Sequence, residues 1–360
     1  MLCYYITGHG FGHAIRTTQI LRALPADLPL LLKTTAPERV FREELPGRDF
    51  EYIRAEYDCG CLQSDSVHVL RRETLTRYAE IARRNQSLLA DEVAFLKERG
   101  VRCVASDIAS FPLKAARTAG IASVAVANFT WHDIYSEYVE TPEDAALLAQ
   151  MAAEYAEATL ACLTPLSVST VCDVFPRSQR VSLVARRGQN IGELLTDTLG
   201  IPGGKHLALL YLGGWGMDID FAALERWTDW VFLTDAPLPV PVANARAFDP
   251  KVLRYADVAA SVNAVVSKAG YGILTECIAN SVPLIYLPRH GFAEHEALVL
   301  GMKAWGGGVE ISERAFYAGD WGDALARAQS AALNPEAFAT NGADVIARIL
   351  TDYHRKQQLL

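Results

Sequence analysis

The sequence predicts an α/β protein with two Rossmann-like, parallel-sheet domains that face each other across a cleft. Short apolar strands alternate with helix-like segments along the chain, a pattern that builds parallel sheets with crossover helices. The 360 residues exceed the about 250–300 at which a single hydrophobic core stops growing. Hydrophobic residues make up 51% of the chain and charged residues 21%, enough apolar material for two packed cores.

The strands fall into two series, separated by a segment dense in glycine and proline between residues 183 and 204. The first series is predicted at 2–6, 29–33, 50–54, 101–106, 121–126 and 159–163, and the second at 206–212, 229–233, 263–267 and 283–287. We therefore expect an N-terminal domain over 1–185 and a C-terminal domain over 204–335. A trailing helix within 336–360 is expected to pack back on the first domain.

Helix-like stretches lie between these strands. In the first domain they are predicted at 12–24, 37–44, 69–99 and 111–119, and in the second at 218–228, 250–256, 271–280, 293–304 and 321–332. The stretch 69–99 is rich in Arg, Glu, Leu and Ala. Its length predicts more than one helix or an excursion from the sheet.

Charge and terminal sequence limit the classes of partner. The formal net charge is −8, which gives no bulk attraction to nucleic acid or anionic lipid, although a local basic patch is compatible with it. The chain opens on an apolar strand without a preceding basic run, and no run of about 18 apolar residues occurs. We expect a cytoplasmic protein without an integral membrane segment; the oligomeric state is open.

The seven cysteines are predicted to be reduced thiols, since most of them lie in apolar runs. Cys59-Gly60-Cys61 is the exception and admits a metal or redox pair. A zinc site needs four ligands, and no second pair has suitable spacing. We therefore expect two thiols in a loop.

The first strand is followed by a glycine-rich loop, Thr7-Gly8-His9-Gly10-Phe11-Gly12-His13, that leads into a helix. The glycine spacing differs from the G-x-G-x-x-G dinucleotide pattern. The amides near Gly10 and Gly12, at the positive end of a helix, are predicted to bind an anion, with Arg16 one turn further along.

His9 and His13 in this loop are candidate catalytic residues, because it follows the first strand and faces the ligand crevice of an open α/β sheet. His13 is expected to act as a base on a hydroxyl or to donate to phosphate or sugar. Alternatively, one of the two histidines caps the helix or bonds backbone. Asp107 is a second candidate base, with a helix N-cap as its alternative role.

A second cluster, Val265 to Glu276, joins an apolar strand to a helix that starts near Gly270. Free amides at that helix start are predicted to bind a pyrophosphate, and Glu276 lies where it could reach a ribose diol. A cap at Ser267 and a solvated Glu276 are the alternatives. The candidate binding residues here are Ser267, Lys268, Ala269, Gly270, Tyr271, Gly272 and Glu276.

Three further segments lie on the predicted ligand side. Pro288 to Glu296 follows a strand and offers His295 and Glu296 to sugar hydroxyls, although acidic residues in a first helical turn also complement the helix dipole. Gly213 and Gly214 follow the first strand of the second domain, where a ligand can approach the backbone. Phe248, in the loop before Asp249-Pro250, is a further candidate binding residue.

The first loop, the Ser267–Glu276 cluster and the Pro288–Glu296 stretch, in this order, resemble glycosyltransferases of the GT-B fold. The resemblance extends to the branch of the bacterial peptidoglycan N-acetylglucosaminyl transferase. The opening Tyr5-Ile6-Thr7-Gly8-His9-Gly10-Phe11-Gly12-His13-Ala14 resembles more closely the glycosyltransferase-like N-terminal region of plant arabinokinases.

The resemblance implies a nucleotide-sugar donor, most simply a UDP-sugar, bound by the C-terminal domain, an acceptor bound by the N-terminal domain, and no metal. It implies that the Gly12-His13 turn faces the acceptor hydroxyl and the donor phosphates. Ser267 and Gly270 would hold pyrophosphate, Glu276 the ribose, and His295 and Glu296 the sugar. The family has two polar amides or Asp-Gln where this chain has His295-Glu296, which leaves the sugar open.

Three functions follow from these observations. The first is metal-independent transfer of a sugar from a nucleotide diphosphate to an unknown acceptor. The second is epimerisation of a nucleotide sugar, whose carboxylate set is not identifiable here. The third is a non-catalytic nucleotide-sugar sensor, since the plant relatives carry this region fused to a kinase; the motif G-x-x-x-x-G-K-[ST] is absent from the sequence.

Overall fold

The computed structural model describes residues 1–63, 69–211, 219–288 and 293–356. These form two α/β domains, each built on one parallel sheet, of seven and six strands respectively. The predicted fold class is thus confirmed. None of the described helices is long and apolar enough to cross a membrane.

The first domain alternates strands and helices from its start. In chain order it comprises β1 (Leu2–Ile6), α1 (Phe11–Ala23), β2 (Leu30–Thr34), α2 (Glu38–Glu44), β3 (Glu51–Arg54), α3 (Arg71–Glu98), β4 (Cys103–Asp107), α4 (Phe111–Ala119), β5 (Ala122–Ala127), α5 (Trp131–Ser136), α6 (Pro142–Tyr155), β6 (Leu160–Leu163) and β7 (Ser178–Arg180). The central strands are fully buried apolar runs, as expected for a sheet covered by helices on both faces.

The second domain repeats the plan on a smaller scale. It comprises β8 (His206–Tyr211), a 3₁₀ turn (Phe221–Arg226), β9 (Trp230–Thr234), β10 (Ala245–Ala247), α8 (Tyr255–Ala259), β11 (Ala264–Lys268), α9 (Tyr271–Asn280), β12 (Leu284–Leu287), α10 (Glu294–Trp305), β13 (Gly308–Glu310), α11 (Glu313–Tyr317) and α12 (Gly322–Gln329).

In both sheets the order in which strands are added reverses at an equivalent position. The strand order is β3-β2-β1-β4-β5-β6-β7 in the first and β10-β9-β8-β11-β12-β13 in the second. In the first sheet, β2 and β3 therefore lie on one side of β1, and β4 lies on the other side. In the second sheet, β9 and β10 lie on one side of β8, and β11 lies on the other side. Such switch points open a crevice at the carboxyl ends of the strands, where ligands bind.

Two segments tie the domains together. Between the sheets lies α7 (Gly192–Leu199), whose Leu195 is fully buried in the core of the second domain. After the second domain, α13 (Gly342–Lys356) runs back to the first and packs against α1, β4 and β5. Its Ile346 and Leu350 are fully buried in the core of the first domain.

The structure differs from the sequence expectations at the edges of the sheets and in four helices that were not predicted, α5, α6, α7 and α11. The short strands β7, β10 and β13 were not predicted; β7 is Ser178-Gln179-Arg180, entirely exposed, without the apolar pattern of a strand. Residues 71–98 form one continuous helix rather than two. Its middle contains no Gly or Pro, so nothing in the sequence breaks it.

A buried ion pair joins α3 to the sheet of the first domain. The ammonium of Lys33 on β2 lies 2.6 and 2.8 Å from the two carboxylate oxygens of Glu92 on α3. Tyr5 and Tyr57 both donate their hydroxyls to the same carboxylate. The lysine also lies 4.2 Å from the ring centre of Phe95, so its charge is compensated from two directions.

We predict that Glu92→Gln strongly destabilises the first domain. The change leaves the ammonium of Lys33 buried without a counter-charge, which typically costs about 3–5 kcal/mol. Urea unfolding followed by tryptophan fluorescence measures the effect. Glu38→Gln is the matched control: it breaks the exposed Glu38–Arg42 pair, and an unfolding midpoint equal to that of Glu92→Gln would contradict the prediction.

Candidate functional site

The two switch points face each other across the cleft, so the loops that follow β1, β4 and β5 lie opposite those that follow β11 and β12. The start of α1 contacts the start of α9 there. A methyl group added to Gly272 would lie 3.6 Å from the Cα of Gly12. The backbones at the two helix starts thus approach each other closely.

Neither helix start is capped by a side chain. Gly10 and Gly270 precede α1 and α9, and neither helix has an acidic residue in its first turn. Gly10 has φ +70°, a conformation that glycine adopts without strain. Within the described part of the chain, no atom lies within 4 Å of a methyl group built on Gly10, Gly12 or Gly270. Two sets of unpaired amides and two helix dipoles converge on this space, which favours a polyanion.

His13 and Asp107 form a hydrogen-bonded pair beside the helix starts. His13 Nδ1 lies 2.8 Å from Asp107 Oδ1, and the carboxylate is fully buried. A carboxylate accepts, so in the neutral ring Nδ1 carries the proton and Nε2 keeps its lone pair. No described residue donates a hydrogen bond to Nε2. The half-buried imidazole can therefore accept a proton from a ligand in the cleft. Asp107 does not cap α4, whose N-cap is Ser110.

Arg16 lies behind this pair. Its Nε and one terminal nitrogen donate to the two oxygens of Asp107 at 3.0 and 2.7 Å. Thr17 donates to the same carboxylate at 3.2 Å. Arg16 is 4% exposed, so its guanidinium supports the carboxylate from beneath the loop rather than extending into the cleft.

These donors keep Asp107 ionised. Burial alone would raise its pKa, but the charge of Arg16 and the bonds from His13 and Arg16 outweigh burial and lower the pKa to about 2. The backbone at the next residue is strained: Ile108 has φ +71°, a rare value for a β-branched side chain. Its carbonyl accepts the hydroxyl of Tyr155 at 2.6 Å, which holds the conformation.

His9 has the opposite tautomer to His13. The backbone N–H of Cys61 donates to His9 Nδ1 at 3.3 Å, so in the neutral ring the proton lies on Nε2. The ring packs edge-on against Trp131 at 5.4 Å and against Gly60, where a methyl group would lie 2.3 Å from Nδ1. His9 is therefore oriented as a donor and His13 as an acceptor.

A buried polar chain connects the two domains to this site. Arg16 donates to Asn128 Oδ1 at 2.6 Å, and the amide nitrogen of Asn128 donates to Glu294 at the start of α10. Both Asn128 and Glu294 are buried, at 1% and 4% exposure. The guanidinium of Arg16 also lies 5.3 Å from the ring centre of Tyr271 on α9. The domains are thus held together directly beside His13.

Glu276 lies in a second cross-domain contact. Arg186, in the segment between the domains, donates through Nε to Glu276 Oε1 at 2.9 Å. Another nitrogen of Arg186 bonds Glu44, at the end of α2 in the first domain. Glu276 is 6% exposed, and burial raises its pKa although Arg186 opposes that rise. The glutamate is therefore not on a solvated face.

The remaining predicted residues lie around the same helix starts. Ser267 is buried and donates to the carbonyl of Tyr211 at 2.8 Å, which links β11 to β8. Lys268 is half-buried, Ala269 and Tyr271 are buried, and Phe248 lies in the core beside Tyr255. His295 is half-buried and Glu296 exposed on the first turn of α10. Gly213 and Gly214 lie outside the described residues.

Sequence reasoning missed Asp58, a buried carboxyl group beneath the loop. Thr7 donates to Asp58 Oδ1 at 2.6 Å, while Oδ2 accepts no hydrogen bond from the described residues. Burial raises the pKa to about 6, against smaller opposing effects of Thr7, Trp131 and His13. Its position a few residues after β3 was the available indication, because that strand also ends at the ligand edge.

The thiols of Cys59 and Cys61 are not bonded to each other. They lie beside the hydroxyls of Tyr135 and Tyr138, at 3.7 and 3.6 Å. Burial raises the pKa of Cys59 to about 12, which makes it a poor nucleophile or metal ligand. Among the described residues no cluster of three or more His, Cys, Asp or Glu side chains could hold a metal ion.

Comparison with known proteins gives one sequence relative and a group of similar structures. No family model matches the chain. L-arabinokinase of Arabidopsis thaliana is 29% identical over 365 residues, an alignment that covers 98% of this chain and 34% of that protein. The predicted resemblance to plant arabinokinases is thereby supported. The chain corresponds to about a third of the length of this relative.

Solved structures match over both domains. Phytolacca americana UGT2, in complex with UDP-2-fluoro-glucose and pterostilbene, has a TM-score of 0.61 at 16% identity, covering 98% of this chain and 94% of that one. A UDP-glucosyltransferase from Polygonum tinctorium has a TM-score of 0.61 at 15% identity, covering 99% and 93%. The fold is GT-B. The predicted kinship with the peptidoglycan N-acetylglucosaminyl transferase branch stays a prediction.

We predict that Asp58 makes stability depend on pH. Its folded-state pKa of about 6 lies above the ordinary 3.8, so the native state binds the proton more tightly than the unfolded chain. The free energy of unfolding therefore falls as pH rises from about 4 to 6, by about 3 kcal/mol from this group. Asp58→Asn removes this dependence on pH. The free energy of unfolding of the variant therefore increases relative to that of the wild type as pH rises.

Urea titrations between pH 4.5 and 8 measure this difference. Asp49→Asn, at an exposed carboxylate, is the control, and its difference from the wild type should vary little with pH. A difference between Asp58→Asn and the wild type that is constant across this range would contradict the prediction.

Proposed function

We propose that this protein is a metal-independent glycosyltransferase that moves a sugar from a nucleotide diphosphate to an acceptor hydroxyl. The observation that carries the proposal is the His13–Asp107 pair, placed beside two uncapped helix starts, where a methyl group built on Gly272 would contact the Cα of Gly12. A general base and an anion site are the two components that such a displacement requires.

The diphosphate would lie between α1 and α9. Gly10, Gly12, Gly270 and Gly272 lie at the two helix starts, neither helix has a side-chain cap, and the two helix dipoles favour negative charge there. Lys268 at the end of β11 adds a cation near the start of α9. As the bond between the anomeric carbon and the phosphate oxygen breaks, charge accumulates on the leaving diphosphate, where these fixed dipoles stabilise it.

The acceptor would approach from the first domain. His13 Nε2 takes the proton of the acceptor hydroxyl as its oxygen attacks the anomeric carbon. Asp107 holds the ring through Nδ1 and stabilises the imidazolium that forms. Because Arg16 keeps the carboxylate ionised, this orientation persists over the physiological pH range. His9, with its proton on Nε2, is suited to donate to a phosphate or sugar oxygen.

The donor is proposed to be a UDP-sugar. Phytolacca americana UGT2 is bound to UDP-2-fluoro-glucose, and the Polygonum tinctorium protein is a UDP-glucosyltransferase. In this chain Glu276 would receive the ribose, Phe248 would border the base, and His295 and Glu296 would contact the sugar.

A second candidate is a nucleotide-sugar-binding module without turnover. The alignment with L-arabinokinase covers only 34% of that protein, so in the longer protein this region accompanies additional chain. A binding module would keep the anion site and would not need His13. The two candidates therefore differ at one side chain.

We predict that UDP and UDP-sugars raise the melting temperature of the protein. A ligand at 100 times its dissociation constant stabilises the native state by about 2.7 kcal/mol. A thermal-shift panel of nucleoside diphosphates and nucleotide sugars at millimolar concentration tests this. The absence of a shift with every nucleotide would contradict the proposed donor site.

We further predict that His13→Ala keeps this thermal shift but lowers turnover by about 10²–10⁴-fold, the usual contribution of a general base. Release of nucleoside diphosphate from the donor, with a panel of hydroxyl acceptors, measures turnover. His206→Ala is the control, because His206 begins β8, at the amino end of the strand, whereas the proposed site lies at the carboxyl ends of the strands. Equal turnover in His13→Ala and the wild type would favour the binding module.

A further inference from the structure

The pairing between Arg186 and Glu276 is unusual for an arginine and a carboxylate. A guanidinium fork commonly bonds both oxygens of one carboxylate. Here Nε and a terminal nitrogen of Arg186 both lie 2.9 Å from the same oxygen, Oε1. The other terminal nitrogen bonds Glu44 of the first domain. Oε2 of Glu276 is consequently buried and accepts no hydrogen bond from the described residues.

The arginine is held firmly in this position. Asn280, one turn further along α9, bonds the carbonyl of Arg186 and the amide of Gly188, at 3.3 and 3.0 Å. A methyl group on Gly188 would lie 1.9 Å from the carbonyl oxygen of Ala256. The linker is thus fixed on the second domain, and Arg186 is 8% exposed.

Two tyrosine rings lie beside the contact between Arg186 and Glu276. The guanidinium of Arg186 lies 5.5 Å from the ring centre of Tyr255, and Tyr255 contacts Tyr211 at 5.1 Å. Tyr211 is the last residue of β8 at the switch point. A ligand hydroxyl that reached this corner of the second-domain crevice would therefore find one carboxylate oxygen that no described residue bonds, bordered by aromatic rings.

We infer that Arg186 is a positioning residue, which holds Glu276 by one oxygen so that the other receives a ribose hydroxyl of the nucleotide. The inference rests on the proposed function, in which Glu276 binds the ribose. Because the same guanidinium bonds Glu44, the first domain contributes to nucleotide selection through the linker. Binding then favours the arrangement of the domains in which all three side chains meet.

Isothermal titration with UDP and with 2′-deoxy-UDP tests this without any acceptor or turnover. A hydroxyl bonded to a charged carboxylate should make the wild type bind UDP at least about tenfold more tightly than 2′-deoxy-UDP. Arg186→Met should lower UDP affinity by a similar factor and bring the ratio of the two affinities toward one. Arg187→Met is the matched control, because its side chain instead bonds Thr340 at the surface.

A double-mutant cycle separates positioning from a general loss of structure. In the Glu276→Gln background, Arg186→Met should cause no further loss of discrimination if it acts through that carboxylate. An unchanged ratio of UDP to 2′-deoxy-UDP affinity in Arg186→Met would overturn the inference and leave the proposed function standing. A wild type that binds UDP without discrimination would overturn the ribose role of Glu276, and one that binds neither nucleotide would contradict the proposed function itself.

Discussion

The fully buried carboxylate of Asp107 is the group around which the first half of the cleft is organised. A lone carboxylate there would take up a proton, since burial disfavours its charge. Arg16 prevents this by bonding both oxygens, and this ion pair in turn fixes the histidine at the start of α1. The same arginine bonds Asn128 on the loop after β5 and faces Tyr271 on α9. One desolvated charge pair thus sets the orientation of an imidazole and the approach of two helices.

The two sides of the cleft differ in the chemical groups that they contain. On one side the helix starts of α1 and α9 offer only backbone amides, with glycines that leave the space open. On the other, polar and charged side chains bridge the domains: Asn128 with Glu294, and Arg186 with Glu44 and Glu276. In the proposed function, the first side would attract the anionic diphosphate and the second would bond the hydroxyl groups of the ligand.

The sequence predicted the central strands and both glycine-rich helix starts because their information is local. A strand that ends at glycine or a polar residue can be recognised from a single short segment of sequence, as for the strands that end near Ile6 and Ser267. The edge strand at Ser178–Arg180 was not predicted because its residues are polar and it is paired on one side only. Arg186 lies in the segment between the domains, and no local pattern distinguishes it from its neighbours. Its partners Glu44 and Glu276 are 142 and 90 residues away along the chain. Contacts between domains leave no periodic pattern.

The hydrogen bond between Asn128 and Glu294 would affect the rate at which a ligand leaves the cleft. Both side chains are buried, and in the proposed function a nucleotide between α1 and α9 would leave by a separation of the domains at this point. Separation breaks this bond and the contact of Arg16 with Tyr271 together, so water must enter before the product departs. If the protein transfers sugars as proposed, opening rather than bond cleavage would set the residence time of the spent nucleotide, and a chain with a looser hinge would release it sooner while protecting its reactive donor from water less well.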